Sequence, residues 1–587
     1  MPSDFRLPRF RWQTAAADPD AAAALAARHG LPPAAATLLA GRGFDPDSAG
    51  AFFSPALSTL GDPGAFPGVE AAGRRLWQAI EAQDLVVVFG DYDADGVTAA
   101  AILTAVIRQL GGRAEAFLPD RAAEGYGLTR AALERCLADH PGARVLVTVD
   151  CGIGAAAEVA AAAAAGLTVI VTDHHEPPAA LPAAAFAVLN PKLPGTPPGG
   201  EHLCGAGVAF KLAHGLVRQG REAGRPAAAA LDARAWLDAV AVATVADVVP
   251  LVGENRVLVS AGLDRLRRRP SVGLQALLQR AGVDGGSLTS YHLAFHLGPR
   301  LNAAGRMRDA WPAFRLLHAA DRDAANALAI ELEHLNGERR HVEARILEQA
   351  AGQLGTPRPD ADVGGVVAAG PGWHPGAIGI VAARLAEAWG RPAAVVALDA
   401  AGAGRGSARG VRGYNALAAL QAAGDTLAGC GGHRQAAGFH LKAGALEEFR
   451  RRFGAACARQ RPDGDPRPEL RVDAWIAGEE VTPDLWQAIQ RLEPFGEGNE
   501  RPRWGLRNLP LAAPPATMGS DGSHLQMAFG LGARRLRAVW WKMGGLAEAV
   551  RCAGPRCDVV AELSQNDWQG RSSLEFQIVD LRPASAP

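Results

Sequence analysis

The chain has 587 residues, 48% hydrophobic and 21% charged, with 60 lysines and arginines against 61 aspartates and glutamates. That length calls for several domains with cores of their own, and a formal net charge of −1 argues against a surface coated in basic charge while leaving room for local basic patches. Seven cysteines, an odd number without a C-x-x-C pair, exclude a disulfide scaffold or a thiolate zinc ribbon and point to a reduced, cytoplasmic chain.

The opening MPSDFRLPRFRW has no apolar h-region, so no signal peptide is expected. The first informative run is LVVVF (85–89), which predicts a buried strand; it leads directly into GDYDADG and a helix over 97–110. RVLVTV (144–149) predicts a second strand, followed by Asp150-Cys151-Gly152 and an alanine-rich helix from about Ala155, and LTVIVT (167–172) a third, followed by Asp173-His174-His175. The stretch 155–172 is too interrupted by Glu158 and Gly166 to span a membrane. Short continuous strands alternating with helices predict a parallel sheet covered on both faces, with ligands beyond the strands' carboxyl ends. A fourth apolar run, AVATVADVVPL (241–251), carries the lone acid Asp247 and is read with the same set of strand ends. Residues 321–354 predict a long charged helix, and a second α/β pattern follows through GWHPGAIGIVAARL, GRGSARG and GCGGHRQAAGF. RPDGDPRPE (461–469) reads as a linker, and β-like runs with hairpin turns beyond it predict a small barrel.

Asp91, Asp93 and Asp95 stand at every second position and repel one another unless a cation holds them. A calcium loop of the EF-hand type is excluded, because its twelfth-position acid is missing and an apolar helix starts at once. With Asp150, His174 and Asp247 the string makes an oxygen-rich, imidazole-containing ligand set suited to manganese or magnesium, and large enough for two ions. Two ions a few ångströms apart can activate a water and support in-line displacement at phosphorus.

GDYDADG, VDCG, DHH and ADVVPL, in that order, resemble the four motifs of the DHH phosphoesterase superfamily. PDRAAEGYGL, LGPRLNAAGRM, GWHPGAIGIVAARL, GCGGHRQAAGF and EPFGEGN extend the resemblance over nearly the whole chain to its bacterial single-strand-specific DNA exonucleases; the one departure noted is Asp120, where asparagine is expected. The resemblance implies five segments: an N-terminal stretch (1–60), an α/β DHH domain (61–320), a connecting helix (321–358), a DHHA1 domain (359–460) and an OB-like single-strand-binding domain (466–587). It implies that Asp91 and Asp93 serve one Mn2+ or Mg2+ ion, that Asp150 bridges, and that Asp95, His174 and Asp247 complete a second site. His175, with Asp150 and Asp247 in the catalytic set, faces the scissile phosphate, while Asp173 orients its neighbours. Gly431, Gly432, His433, Ser407 and Arg409, with Arg121 and Arg306, are expected to hold phosphate and set 5′ polarity, with Arg405, Arg412 and Arg434 nearby. Arg534, Arg535, Arg537, Trp540, Trp541 and Lys542 mix cations with aromatics as single-strand binders do. The expected activity is 5′→3′ hydrolysis of single-stranded DNA to 5′-mononucleotides in recombination and repair, by a monomer working beside a helicase and a single-strand-binding protein. Its rivals are a phosphodiesterase for small substrates and a catalytically dead replication scaffold.

Overall fold

The computed structural model describes residues 7–121, 123–355, 364–461, 467–568 and 571–584. The chain groups into two compact units: Pro55–His341 with the short stretch Pro494–Glu500, and the remainder, comprising residues up to Ser54, Val342–Glu493 and those from Arg501 onward. A short strand near the start, β1 (Arg11–Thr14), belongs to the latter.

The first unit is built on five strands, β2 (Leu85–Phe89), β3 (Arg113–Phe117), β4 (Ala143–Val149), β5 (Thr168–Thr172) and β6 (Ala187–Leu189), all parallel in the order β3-β2-β4-β5-β6. Alternate residues of these strands enter two separate cores. Val86, Val88, Val145, Val147 and Ile170 pack on one side, and Val87, Phe89, Leu146, Val169 and Val171 on the other. Burial on both faces is why the strands read as unbroken apolar text. Five helices matter for the site: α1 (Ala94–Gln109), α2 (Gly205–Glu222), α3 (Leu237–Ala246), α4 (Gly253–Arg268) and α5 (Gly298–Met307). The chain leaves β2 for β3 on one side and returns to β4 on the other, so the carboxyl ends of β2 and β4 flank the switch point where parallel sheets bind ligands.

The run holding Asp247 is no strand end: it is α3, with Asp247 as its C-cap. Residues 237–245 are buried all round, and a helix enclosed on every side shows the same continuous apolar text as a buried strand.

Helix α6 (Arg322–Leu354) passes from the first unit into the second at Val342. There a five-stranded sheet, β7 (Val366–Pro371), β8 (Ala393–Leu398), β9 (Gly404–Arg409), β10 (Leu427–Gly432) and β11 (Ala436–Leu441), has the order β10-β11-β9-β8-β7 and is parallel only between β7 and β8. Helix α7 (Pro375–Trp389) packs on one face and Leu446–Ala458 on the other. Then β12 (Glu469–Val472) pairs in parallel with β1, and β13 (Ala474–Trp475) leads into β14 (Trp504–Met518), β15 (His524–Leu531), β16 (Arg534–Trp540), β17 (Arg556–Trp568) and β18 (Arg571–Pro583). Pairing runs β14-β15-β16-β18-β17 and returns from β17 to β14, which closes a five-stranded barrel. The expected boundary at 358/359 and most of the linker, 462–466, lie outside the described residues.

Candidate active site

The aspartate string folds as a helix start. Asp93 is the N-cap of α1, its Oδ1 accepting the N–H groups of Asp95 and Gly96 at 3.0 Å each. Gly96 is required, since a Cβ there would lie 2.7 Å from the Asp91 backbone nitrogen. Asp95 turns inward to a second helix: its Oδ2 and Oδ1 accept the N–H groups of Gly205 (2.6 Å) and Ala206 (2.8 Å) at the start of α2, where the helix dipole favours an anion. Asp150 follows β4 with φ +61°, a left-handed conformation aspartate tolerates better than most residues. After β5, Asp173 Oδ1 accepts the backbone N–H groups of His174 (2.7 Å) and His175 (3.0 Å), and Oδ2 that of Ile153 (2.9 Å). The same Oδ1 lies 2.8 Å from His175 Nδ1, while His175 Nε2 meets the Tyr126 hydroxyl at 2.9 Å.

These residues converge. His174 Nε2 lies 3.0 Å from Asp150 Oδ1, 3.5 Å from Asp247 Oδ2 and 3.8 Å from Asp95 Oδ2. Three trios bring their ligand atoms within 4.8 Å of one another: Asp91, Asp93 and Asp150; Asp95, His174 and Asp247; and Asp150, His174 and His175. Both Asp91 oxygens and Asp150 Oδ1 are buried without a hydrogen-bond donor. Burial first, then repulsion from Asp93, raises the Asp91 carboxyl and lifts Asp95 to about 6; burial and then Asp95 raise Asp150 and Asp247. Donorless, mutually repelling carboxylates are what a hard divalent cation satisfies, so the cluster fits Mn2+ or Mg2+. His175 differs. Burial opposes its charged form, but the bond to Asp173 and the surrounding acids outweigh this and raise its pKa. Asp173 is held low for the complementary reason: burial works against its charge, and the bond to His175 overcomes it.

Beside the acids, the Arg121 guanidinium stacks 4.9 Å from the Tyr92 ring, and burial, then Arg121, lowers Arg306 to about 10. In the other unit, the β-register aligns Ser407 with Gly438 and Gly438 with Gly431, and Gly432 with Ala437 and Ala437 with Ala408. Arg409 Nη1 donates to Ser407 Oγ at 2.7 Å, and His433 N–H to Ala436 O at 2.8 Å. Ser407, Arg409, Gly431, Gly432 and His433 therefore share one end of one sheet. A Cβ on Gly379 would lie 3.2 Å from Ser407 Oγ, so α7 presses on the same place.

The barrel sorts the arginine and tryptophan hairpin into separate fates. Trp540 is buried, Arg534 donates to the carbonyl of Val481 (3.0 Å), and Arg537 pairs with Glu575 at 2.5 Å. Trp541 is 47% exposed against the His524 ring, and Arg535 and Lys542 are exposed.

Sequence reasoning gave no role to Tyr126, to the Gly205-Ala206 helix start that holds Asp95, or to Asn302, whose Oδ1 accepts Ala94 N–H at 2.8 Å. Signals were present for all three: Asn302 lies within LGPRLNAAGRM. Tyr126 lies within PDRAAEGYGL, and the glycines of Cys204-Gly205-Ala206-Gly207 open an amphipathic helix.

A parallel sheet with an acid and histidine cluster at its switch point, followed by a mixed sheet with a glycine-lined end, defines a metal-dependent phosphoesterase of the DHH class. Residues 85–244 match the DHH family, N-terminal domain, residues 362–459 the DHHA1 domain, and residues 472–580 the RecJ OB domain. The chain is 35% identical over 574 residues to the single-stranded-DNA-specific exonuclease RecJ of Bacillus subtilis, covering 97% of this chain and 71% of that protein. It is 37% identical over 546 residues to the RecJ of Dickeya dadantii, covering 88% and 90%. The crystal structure of Thermus thermophilus RecJ in complex with Mn2+ superposes with a TM-score of 0.83 at 34% identity, over 98% of this chain and 80% of that one; a second is in complex with Mg2+. The chain belongs to the RecJ family.

Proposed function

We infer that this chain is a metal-dependent exonuclease that hydrolyses phosphodiester bonds of single-stranded DNA. The observation that carries this reading is the intact ligand cluster, with Asp91 and Asp150 oxygens buried and donorless, in a chain that also has the closed RecJ-type barrel. A dead scaffold has no reason to keep a cluster that repels itself, and a small-substrate enzyme has no use for a strand-gripping barrel.

Asp91, Asp93 and Asp150 would hold one ion and Asp95, His174 and Asp247 the other, with Asp150 next to both through His174. Ions held there lower the pKa of a water and neutralise charge developing on the phosphoryl oxygens. The protein's own groups do the rest. Asp173 fixes His175 through Nδ1, which leaves Nε2, now against the Tyr126 hydroxyl, as the atom that would turn to the phosphate or the leaving oxygen, and the raised pKa favours the protonated, donating imidazole. Arg121 and Arg306 stand beside the acids as phosphate donors. Ser407, Arg409, Gly431, Gly432 and His433 bind the strand's 5′-phosphate, which sets 5′→3′ polarity and releases 5′-mononucleotides; arginine's planar fork and close glycine backbone suit that anion.

Seven free cysteines suit a reducing compartment and support a cytoplasmic location. No helix among the described residues is long and apolar enough to cross a membrane. A single-strand specialist needs its substrate unwound and kept apart, which supports a helicase and a single-strand-binding protein as partners. Digestion of strands labelled at either end, single or paired, with Mn2+ tests the reading. Mononucleotides released from the 5′ end of single strands are expected; release from the 3′ end, or cleavage confined to dinucleotides, sinks it.

A further inference from the structure

The motif EPFGEGN (493–499) takes no part in the chemistry above. Pro494–Glu500 folds with the parallel-sheet unit, although the chain on both sides of it belongs to the other. It forms a tight turn in which Gly496 and Asn499 exchange both backbone hydrogen bonds at 3.1 Å, with Gly498 at φ +70° and Asn499 Nδ2 donating to Pro494 O at 2.9 Å. Ser290 Oγ donates to Phe495 O at 2.6 Å, and Arg256 Nη1 to Pro494 O at 3.4 Å. So anchored, the turn presents Glu497 O, which accepts Leu251 N–H at 2.7 Å.

Leu251 closes the loop that begins at Asp247. On its near side the loop is tied to α3 through Asp247 N–H, donating to Ala243 O at 2.9 Å, and Val248 N–H, donating to Val245 O at 3.3 Å. On its far side the ties are the Leu251 bond and Asn255 Nδ2, which donates to Pro250 O at 3.0 Å. Between them Val248 is 66% exposed and takes φ +60°, a conformation a β-branched residue keeps only where its surroundings over-determine it. Glycines bring the turn flush against this loop. A Cβ on Gly496 would lie 2.7 Å from Leu251 Cδ1, and one on Gly498 3.1 Å from Pro250 Cβ.

We propose that Pro494–Glu500 is a positioning strap for Asp247: it pins Leu251, holds the strained Val248 in place, and thereby sets where the Asp247 carboxylate stands relative to His174. This rests on the assignment of Asp247 as a metal ligand. The strap touches no reacting group. Its effect reaches the reaction through divalent-ion affinity.

The test uses the full chain carrying Ser290→Ala, Ser290→Thr, Phe495→Ala or Asp247→Ala, with amide hydrogen exchange at 248–252, Mn2+ titration by calorimetry, and nuclease rate against Mn2+ concentration. Ser290→Ala should speed exchange at Leu251 and weaken Mn2+ binding about tenfold, the low end for groups that orient a ligand. Its rate should recover at saturating Mn2+, Ser290→Thr should restore both readouts, and Phe495→Ala should move them the same way. Unchanged exchange in both Ser290→Ala and Phe495→Ala overturns the strap. So does faster exchange with unaltered Mn2+ affinity while Asp247→Ala does weaken binding. If Asp247→Ala leaves Mn2+ binding intact, the ligand assignment itself fails and the strap falls with it.

Discussion

Asp150 concentrates the demands of the site in one side chain. It takes a left-handed backbone, its Oδ1 has no hydrogen-bond donor, and it belongs to two of the three ligand trios. Asp150→Ala should therefore lower cleavage by at least about 10²-fold, the usual worth of a single transition-state contact, and DNA binding should survive because the phosphate and barrel surfaces are untouched. Retention of more than about a hundredth of the rate in single-turnover assays would remove Asp150 from that role. The acids also make a pH prediction. Burial, then repulsion among them, raises the folded-state pKa of Asp91, Asp95, Asp150 and Asp247, Asp95 to about 6. Above the unfolded aspartate value of about 3.9 the folded protein thus binds more protons than the unfolded one, and metal-free stability falls as pH rises through 4 to 6 and beyond. Divalent ions compete with those protons, so Mn2+ should raise Tm more at pH 8 than at pH 5. At a hundredfold excess over Kd one ion contributes about 2.7 kcal/mol, or roughly 4 °C for a unit of this size. Equal shifts at the two pH values would show that the buried acids are not what the ion binds.

At the scale of elements, the first turn of α2 supports Asp95 and touches Asp150 at once. A Cβ on Gly205 would lie 2.6 Å from Asp150 Cβ and 2.7 Å from its Oδ1, so Gly205→Ala must push the helix start away from both acids. Mn2+ affinity should fall about 10- to 100-fold, as for other groups that hold a ligand in place, with the circular dichroism spectrum retained. Wild-type affinity in this variant would mean that α2 packs there without controlling the metal. This contact was not legible in the sequence, because Gly205 and Ala206 lie 110 and 111 positions after Asp95 and nothing local relates them. Three strands of the first sheet were legible: β2 was read residue for residue and β4 and β5 to within one position, since burial on both faces writes unbroken apolar text, whereas β3, with exposed Arg113 and Glu115, and the three-residue β6 were not. The same text misled at α3, where periodicity cannot separate an enclosed helix from an enclosed strand. Helix α1 starts three residues earlier than expected, because Asp93 caps it and so draws Ala94, Asp95 and Gly96 into the first turn. Among the Arg534–Lys542 residues, composition joined cations with aromatics but could not say which side chains serve the strand and which the core; the β-period of two and the Glu575 partner assign Trp540 and Arg537 to the fold.

For the whole molecule, charge and direction are separate questions. The chain is close to neutral, yet single-stranded DNA meets local cations and not the global sum. If about five phosphates are neutralised, the log–log slope of binding against salt should be roughly −3.5, measured by fluorescence anisotropy, and a flat response would favour a small-substrate enzyme. Direction must come from an asymmetric contact, because a strand's backbone charge is the same either way along its length. Arg409 and Ser407, hydrogen-bonded to each other in β9, with Ser407 in line across β11 with Gly431 of β10, are the arrangement best suited to a terminal dianion. A charge-assisted contact there is worth about 1.5–3 kcal/mol, so a strand with a 5′-hydroxyl should be cut roughly ten- to a hundredfold more slowly than one with a 5′-phosphate. Arg409→Ala should erase most of that difference by slowing the phosphorylated strand alone. The ratio is the decisive quantity, since a general loss of activity could follow from any disturbance of the sheet. An Arg409→Ala enzyme that slows both strands equally and keeps the ratio would place the arginine on the strand's interior phosphates and leave 5′ polarity to other groups.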